Sequence, residues 1–248
     1  MRSAASSRPA PSRSVSEAAR RLAEAGCDTP RLDAELLLRE GADVERRVAR
    51  EPVAYILGRK AFRWIELNVD RRVLIPRPDT ETLVEAALSL AARGARVHDV
   101  GTGSGAVALA LKQERPDLLV SGSDASADAL EVARENARRL GLDVGFSVAS
   151  GLPRGDYDLA VANLPYVRED EWDELEPEIR LYEPREALVS GPDGLDAIRS
   201  LVDAAPAGTL VALEHAPAQA EAVRALLREP RTVPDLAGRE RVTVGRVP

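Results

Sequence analysis

An apolar run, Leu159-Ala160-Val161-Ala162, leads directly into Asn163-Leu164-Pro165-Tyr166. The run reads as a strand, so the tetrapeptide falls where a strand gives way to a loop. That placement sets a side-chain amide, backbone carbonyls and an aromatic face at one lip of a pocket. Such a lip is rich in acceptors and suited to gripping an NH2 group. Leu164 precedes a proline, which pushes its backbone toward extended conformations and keeps its carbonyl projecting outward. Taken alone, Asn and Pro here are also ordinary turn formers.

A second strand-like run ends in a glycine loop, Asp99-Val100-Gly101-Thr102-Gly103-Ser104-Gly105. The spacing is G-x-G-x-G, not the G-x-G-x-x-G of dinucleotide folds. Glycines at these positions let the backbone approach a ligand and accept unusual dihedrals. Asp99, at the end of the strand, is suited to holding the loop amides or to facing the cationic end of a cofactor. Asp124 lies just beyond the next strand, where an acid accepts both ribose hydroxyls of a nucleoside. Capping the helix that starts near Ala127 is the plainer role for Asp124. The ribose role is preferred because strand end, glycine loop and acid converge at the carboxyl edge of a sheet.

S-adenosylmethionine suits this acidic, lysine-free site better than a pyrophosphate ligand does. Loop and tetrapeptide together point to methyl transfer to nitrogen. An amide nitrogen is a poor nucleophile because its lone pair is delocalised into the carbonyl. Accepting hydrogen bonds from both N–H groups, through the Asn163 side chain and the Leu164 carbonyl, holds that nitrogen toward the methyl group. Tyr166 then covers the planar group. Alignment of nitrogen, carbon and sulfur supplies most of the catalysis, and no metal is called for.

The elements that must position these residues follow from periodicity. Strands are expected over Arg96 to Val100, Leu118 to Gly122, Val144 to Val148, Asp158 to Ala162 and Thr209 to Leu213. Helices are expected over Thr80 to Ala92, Ala106 to Gln113, Ala127 to Leu140, Leu195 to Ala204 and Gln219 to Arg228. Val233 to Val247 supplies a final antiparallel pair. This alternation implies an α/β fold with a largely parallel sheet covered on both faces. Four segments are expected: a disordered tail over 1–14, a small helical domain over 15–50, a connector over 51–79 and the main α/β domain over 80–248. Ser14 or Ser16 is the expected cap of the first helix. In the connector, Ile65-Glu66-Leu67-Asn68-Val69 reads as a strand paired in a hairpin with Val73-Leu74-Ile75.

The net charge of −7 argues against a general nucleic-acid binder. No run of eighteen apolar residues occurs, so no membrane span is expected. Cys27 is the only cysteine, which excludes an internal disulfide and a cysteine-based zinc site and fits a reducing cytoplasm. The Arg- and Ser-rich start also has the composition of a transit peptide, but it lacks an amphipathic stripe. His98 and His215 carry no ligand spacing and read as structural.

The assembled residues resemble the protein-(glutamine-N5) methyltransferases that modify peptide chain release factors. Glu51-Pro52-Val53-Ala54-Tyr55-Ile56-Leu57-Gly58 looks like that family's connector, and Leu74-Ile75-Pro76-Arg77-Pro78-Asp79-Thr80-Glu81 like a signature specific to it. The glycine loop, the Asn-x-Pro-Tyr motif, Tyr182 to Leu188, Gly191 to Leu195 and Asp235 to Val242 follow in family order. The likeness covers roughly residues 51 to 245. It implies a class I, Rossmann-like methyltransferase with a mostly parallel seven-stranded sheet and a small N-terminal helical domain. It also implies S-adenosylmethionine bound by Asp99, Gly101, Thr102, Gly103, Ser104, Gly105, Asp124 and Asn163. Asn163, Leu164, Pro165 and Tyr166 would form the glutamine pocket, with Asn163, Pro165 and Tyr166 at the chemistry. The implied partner is a release factor presenting a Gly-Gly-Gln loop, without membrane or stable nucleic-acid binding.

Four departures stand out. Leu164 replaces a usual proline, as in rRNA adenine dimethyltransferases. Ser150-Gly151-Leu152 lacks a Trp near the adenine pocket. The N-terminal helical region is short, and Glu214-His215-Ala216 replaces Glu-Ile-Gly. Adenine-N6 methylation of nucleic acid, glutamine methylation of a ribosomal protein, and a non-catalytic binding module are the competing readings.

Overall fold

The computed structural model describes residues 11–248, with side chains from Val15 onward. Contacts divide the chain into two units. The first holds the residues through Gly58 together with Glu176–Tyr182, and the second holds Arg59–Leu175 and Glu183–Pro248.

The first unit is helical: α1 (Pro11–Glu24), α2 (Pro30–Arg39), α3 (Val44–Val48) and α4 (Val53–Leu57). The first helix begins earlier than expected, and Pro11 to Ser14 are helical rather than tail. Proline is favoured at a helix start, and the turns that follow bury Ala18 and Leu22. Neither Ser14 nor Ser16 is therefore its cap. Residues 1–10, the rest of the expected tail, lie outside the described residues. The connector motif from Glu51 to Gly58 is helix α4, closed by Gly58 in the left-handed region at φ 69°.

A buried network of ion pairs accompanies the apolar packing of this unit. Arg47, with a side chain 8% exposed, pairs with Asp33 at 2.7 Å and with Glu178 at 2.7 Å. Arg50 also grips Glu178. Tyr182 donates its hydroxyl to the Ala49 carbonyl at 2.7 Å. A late segment of the chain is thereby fixed to α3, a contact no local sequence pattern shows. Removing one partner strands the others in a dry site. Arg47→Ala is expected to lose roughly 3–5 kcal/mol in urea denaturation; a loss below about 1 kcal/mol, the range of exposed pairs, would mean that water reaches the network.

The second unit opens with a hairpin, β1 (Arg59–Phe62) and β2 (Ile65–Asn68). The expected partner of the Ile65 strand, Val73 to Ile75, is not a strand. It runs as loop into a short turn at Pro78–Thr80, because Pro76 and Pro78 cannot donate to a ladder. Then come α5 (Glu81–Leu90), β3 (Arg96–Val100), α6 (Ala106–Glu114), β4 (Leu119–Asp124), α7 (Ala127–Leu140), β5 (Gly145–Val148) and β6 (Leu159–Ala162). After β6 follow α8 (Pro177–Tyr182, in the helical unit), α9 (Asp196–Ala204), β7 (Leu210–Glu214), α10 (Ala220–Ala225), β8 (Arg228–Pro234) and β9 (Glu240–Arg246).

The seven-stranded sheet has the order β5-β4-β3-β6-β7-β9-β8. Its first five strands are parallel, and β9 pairs antiparallel with both β7 and β8. All four residues of β6 are buried, as a central strand covered on both faces requires. Helix α9 buries Ile198, Leu201 and Val202, spaced three and four apart, against Ala160, Ala162, Val211 and Leu213. Helix α7 is capped by Ser126, which accepts from the Ala129 amide at 3.1 Å, and stopped by Gly141 at φ 66°. Asp124 is therefore not its cap. No helix of the described residues is long and apolar enough to cross a membrane.

Candidate active site

The chain leaves β3 for β4 and β5 on one side, then crosses to β6 and β7 on the other. In open α/β sheets the crevice at such a reversal, beyond the carboxyl ends of the strands, is where ligands bind. Val100 stands level with both Ala162 and Ser123, and Ala162 stands level with Leu213. The residues that follow these positions, Gly101, Asn163, Asp124 and Glu214, must therefore meet at one edge.

Three of them do: a cavity of about 270 Å³ is lined by Gly101, Gly103, Asp124, Asn163, Leu164 and Pro165, together with Ser150, Gly151 and Leu201, while Glu214 is buried and lines no part of it. A smaller cavity of about 50 Å³ is lined by Asp99, Gly101 to Ser104, Leu74, Thr80 and Asn163. Asn163 lines both. Gly105 and Tyr166 line neither. Gly105 turns the chain into α6 at φ 84°, against Leu109 and Ala133. Tyr166 turns its hydroxyl toward Glu214.

The glycine loop is braced from all sides. The Gly101 and Thr102 amides both donate to the Ser123 carbonyl, and the Gly103 amide donates to Asp124 Oδ2 at 2.9 Å. Asp99 is buried behind the loop, where it accepts from the Thr102 hydroxyl at 2.6 Å and the Ala108 amide at 3.2 Å. Of its two anticipated roles, this geometry is the loop-holding one. Asn136 of α7, fully buried, donates to the carbonyls of Ser104 and Asn68 and accepts from the Asn68 amide. It ties the loop to the hairpin, and nothing in its sequence surroundings marks it. Gly101 has φ 72°, and a Cβ there would fall 2.9 Å from Leu164 Cδ2. The Leu164 side chain thus packs on the glycine loop.

The lip after β6 is pinned by residues distant in sequence. Gln219 donates through Nε2 to the carbonyls of Tyr166 and Asp193. A Cβ on Gly194 would lie 2.2 Å from the Tyr166 carbonyl oxygen, so only glycine closes this contact. Buried Glu183 accepts from the Ile75 amide at 3.1 Å and from Arg77. Arg241 of β9 pairs with Asp79 at 2.8 Å. The Pro-Arg-Pro-Asp-Thr segment is thereby clamped at both ends. Its last residue, Thr80, accepts from Asn163 Nδ2 at 3.0 Å.

Two buried acids stand behind the site. Burial raises Asp99 to about 7, against the pull of its bonds from Thr102 and Ala108. Burial raises Glu214 to about 7 as well, opposed by a hydrogen bond from Thr80 and the charge of Arg241. Glu214 Oε2 has no partner among the described residues. Tyr166 is pushed up by burial and by the neighbouring Glu214, so it stays a neutral hydroxyl.

The residues present fit S-adenosylmethionine. Asp124, with two of its lone-pair sites used by the Gly103 and Ser126 amides, keeps acceptor capacity for ribose hydroxyls. Gly103 has open space where a side chain would be. Leu164, Leu201 and Ala149 give the cavity apolar walls, with no aromatic side chain among its lining.

Strand order, glycine loop and acid define a class I S-adenosylmethionine-dependent methyltransferase, and residues 78–183 match the methyltransferase small domain model. The release factor glutamine methyltransferase of Caulobacter vibrioides is 40% identical, over 91% of this chain and 92% of that protein. Those of Deinococcus radiodurans (38%, over 94% and 96%) and Neisseria gonorrhoeae (43%, over 84% and 82%) are similar as well. This chain belongs to the release factor glutamine methyltransferase family. Among solved structures, TrmN from Thermus thermophilus is 29% identical with a TM-score of 0.44, over 66% of this chain and 47% of that one, and adds nothing to the assignment.

Asp99 leaves a signature in stability. An unfolded aspartate titrates near 3.9. Between about pH 4 and 7 the folded chain holds a proton that the unfolded chain has released, so this group's contribution falls as pH rises and is constant above that window. His98 has the opposite sign. Burial holds it at about 4, so the unfolded chain takes up the extra proton below about pH 6.5. The two offset in the native protein, and a variant separates them. From about pH 4.5 to 7.5, urea denaturation of Asp99→Asn should shift in its favour relative to wild type by roughly 2–4 kcal/mol. A pH-independent difference would mean that Asp99 is ionised throughout.

Proposed function

We propose that this chain transfers the methyl group of S-adenosylmethionine to the side-chain N5 of the glutamine in the Gly-Gly-Gln motif of peptide chain release factors. The observation that carries the reading is the position of Asn163. It lines both the cavity shared with Gly101 and Asp124 and the smaller cavity beside it. Its Nδ2 is committed to Thr80, so Oδ1 is the end free to accept from a substrate.

When bound, the cofactor supplies an electrophilic methyl group on a sulfonium. The chain's own residues do the rest. Asp124 accepts from the ribose, and Gly101 to Gly103 let the backbone come close. Asn163 Oδ1 and the Leu164 carbonyl accept the two N–H bonds of the glutamine amide and hold its nitrogen toward the methyl carbon. Pro165 keeps Leu164 extended, and Tyr166 anchors the end of the lip. Catalysis of this kind rests on alignment. The similarity to release factor glutamine methyltransferases over most of the chain supports the glutamine acceptor over an adenine. A net charge of −7 supports a protein partner over a nucleic acid, and action in the cytoplasm belongs to the same proposal.

Mass spectrometry of release factors after incubation with the enzyme and labelled cofactor tests the reading. One added methyl on the Gly-Gly-Gln glutamine is the expected result, and none at saturating cofactor would refute it. Asn163→Ala should lower kcat by about a hundredfold or more, while calorimetry shows cofactor affinity largely kept. Activity near wild type in that variant would remove Asn163 from the chemistry.

A further inference from the structure

Two buried carboxamides brace the carboxyl edge of the sheet, and they do it with the same pattern of bonds. Asn136 of α7 has no exposed surface, and Gln219, just ahead of α10, is 9% exposed. Asn136 Nδ2 donates to the Asn68 and Ser104 carbonyls, both at 3.0 Å, while Oδ1 accepts from the Asn68 amide at 2.7 Å. Gln219 Nε2 donates to the Tyr166 carbonyl at 2.9 Å and the Asp193 carbonyl at 3.0 Å, while Oε1 accepts from the Ala216 amide at 3.0 Å. Each amide thus spends both its protons on carbonyls of separate segments. Turned over, either would set its oxygen against those carbonyls, so each orientation is fixed.

The two differ in what they hold. Ser104 belongs to the glycine loop, whose Gly101 and Gly103 line both cavities. Tyr166 ends the lip, and Asn163 at its other end is bonded to Thr80. Asn136 makes no hydrogen bond to the lip, and Gln219 makes none to the glycine loop, among the described residues. Gln219 also reaches the turn before α9, which lines the larger cavity through Ala197, Ser200 and Leu201. That helix has anchors of its own: Ile198, Leu201 and Val202 in the core, and the Ala197 amide on Ser190 Oγ at 2.8 Å.

We propose that Asn136 and Gln219 are positioning residues with divided duties: Asn136 sets the affinity for the methyl donor, and Gln219 sets the alignment of the acceptor. This rests on the acceptor-gripping role given to the lip above.

The division follows from preorganisation. A glycine loop without its brace holds the binding shape only part of the time, and apparent affinity falls by that fraction. A seated cofactor then holds the loop itself, so the rate at saturation changes little. Loosening the lip acts at a later stage. It spreads the orientations of the acceptor amide, and a small misplacement of a reacting group costs rate. A role in the general scaffold would lower affinity and rate together.

The test compares Asn136→Leu and Gln219→Met with the wild-type chain; both substitutions keep the volume near native and remove the donors. Calorimetry gives cofactor affinity, release-factor methylation at saturating cofactor gives kcat, and mass spectrometry gives backbone hydrogen exchange. Asn136→Leu should lose about tenfold or more in cofactor affinity, with kcat within about threefold of wild type. Gln219→Met should lose about tenfold or more in kcat, with cofactor affinity within about threefold. Exchange should rise over residues 101–105 in the first variant and over 164–167 in the second. Parallel losses of affinity and kcat in both variants, a reversed pattern, or wild-type values in either would overturn the proposal. Should one of them not fold, Asn136→Ala and Gln219→Ala, which leave room for water at the freed carbonyls, decide by the same readouts. If wild type methylates no release factor, the functional reading fails, while cofactor affinity and exchange still decide the bracing.

Discussion

The parallel pairing of β3 with β6 is the constraint on which the site depends. Neither strand is long, and each is buried on both faces. Their register, Val100 level with Ala162, leaves no freedom in where the next residues go. The glycine loop and the Asn-x-Pro-Tyr lip emerge side by side because a parallel ladder brings both carboxyl ends to one edge. A one-residue slip would turn every side chain of β6 to the other face, and Asn163 with them.

Around that edge the protein spends much of its polar chemistry on holding backbone still. Asp99 and Asn136 fix the glycine loop, Gln219 and Gly194 fix the lip, and Glu183 and Arg241 fix the segment carrying Thr80. Asp99, Asn136, Gln219, Glu183 and Arg241 are buried polar side chains bonded to loop amides, carbonyls or opposite charge. Precision of this kind suits a reaction whose acceleration comes from alignment. The raised Asp99 and Glu214 carboxyls are a consequence: acids buried to brace a site hold their protons to about neutral pH.

The helical unit follows a different logic. One apolar cluster joins Ala18, Leu22, Cys27 and Ala34, and Leu37, Tyr55 and Ile56 are buried as well. Arg47, buried in the same unit, pairs with Asp33 and Glu178. Such ion pairs give directional fixation at an energetic cost, and here they join the segment 176–182 to the helical unit.

Much of this was legible in the residues. Strand and helix order, the glycine loop, Asp124 and Asn163 are written in local runs, because periodicity and glycine placement act over a few positions. Val73 to Ile75 is apolar enough for a strand, yet it runs as loop into the proline-flanked turn at Pro78–Thr80. The helix from Pro11 was hidden by composition that reads as tail. What lay beyond reach were contacts across long sequence separations: Thr80 under Asn163, Glu214 behind both, Glu178 on Arg47. Sequence by itself determined which chemical groups arrive at the strand ends. Tertiary structure alone decided which way they point, because the direction of a hydrogen bond is set by partners that only folding brings within 3 Å.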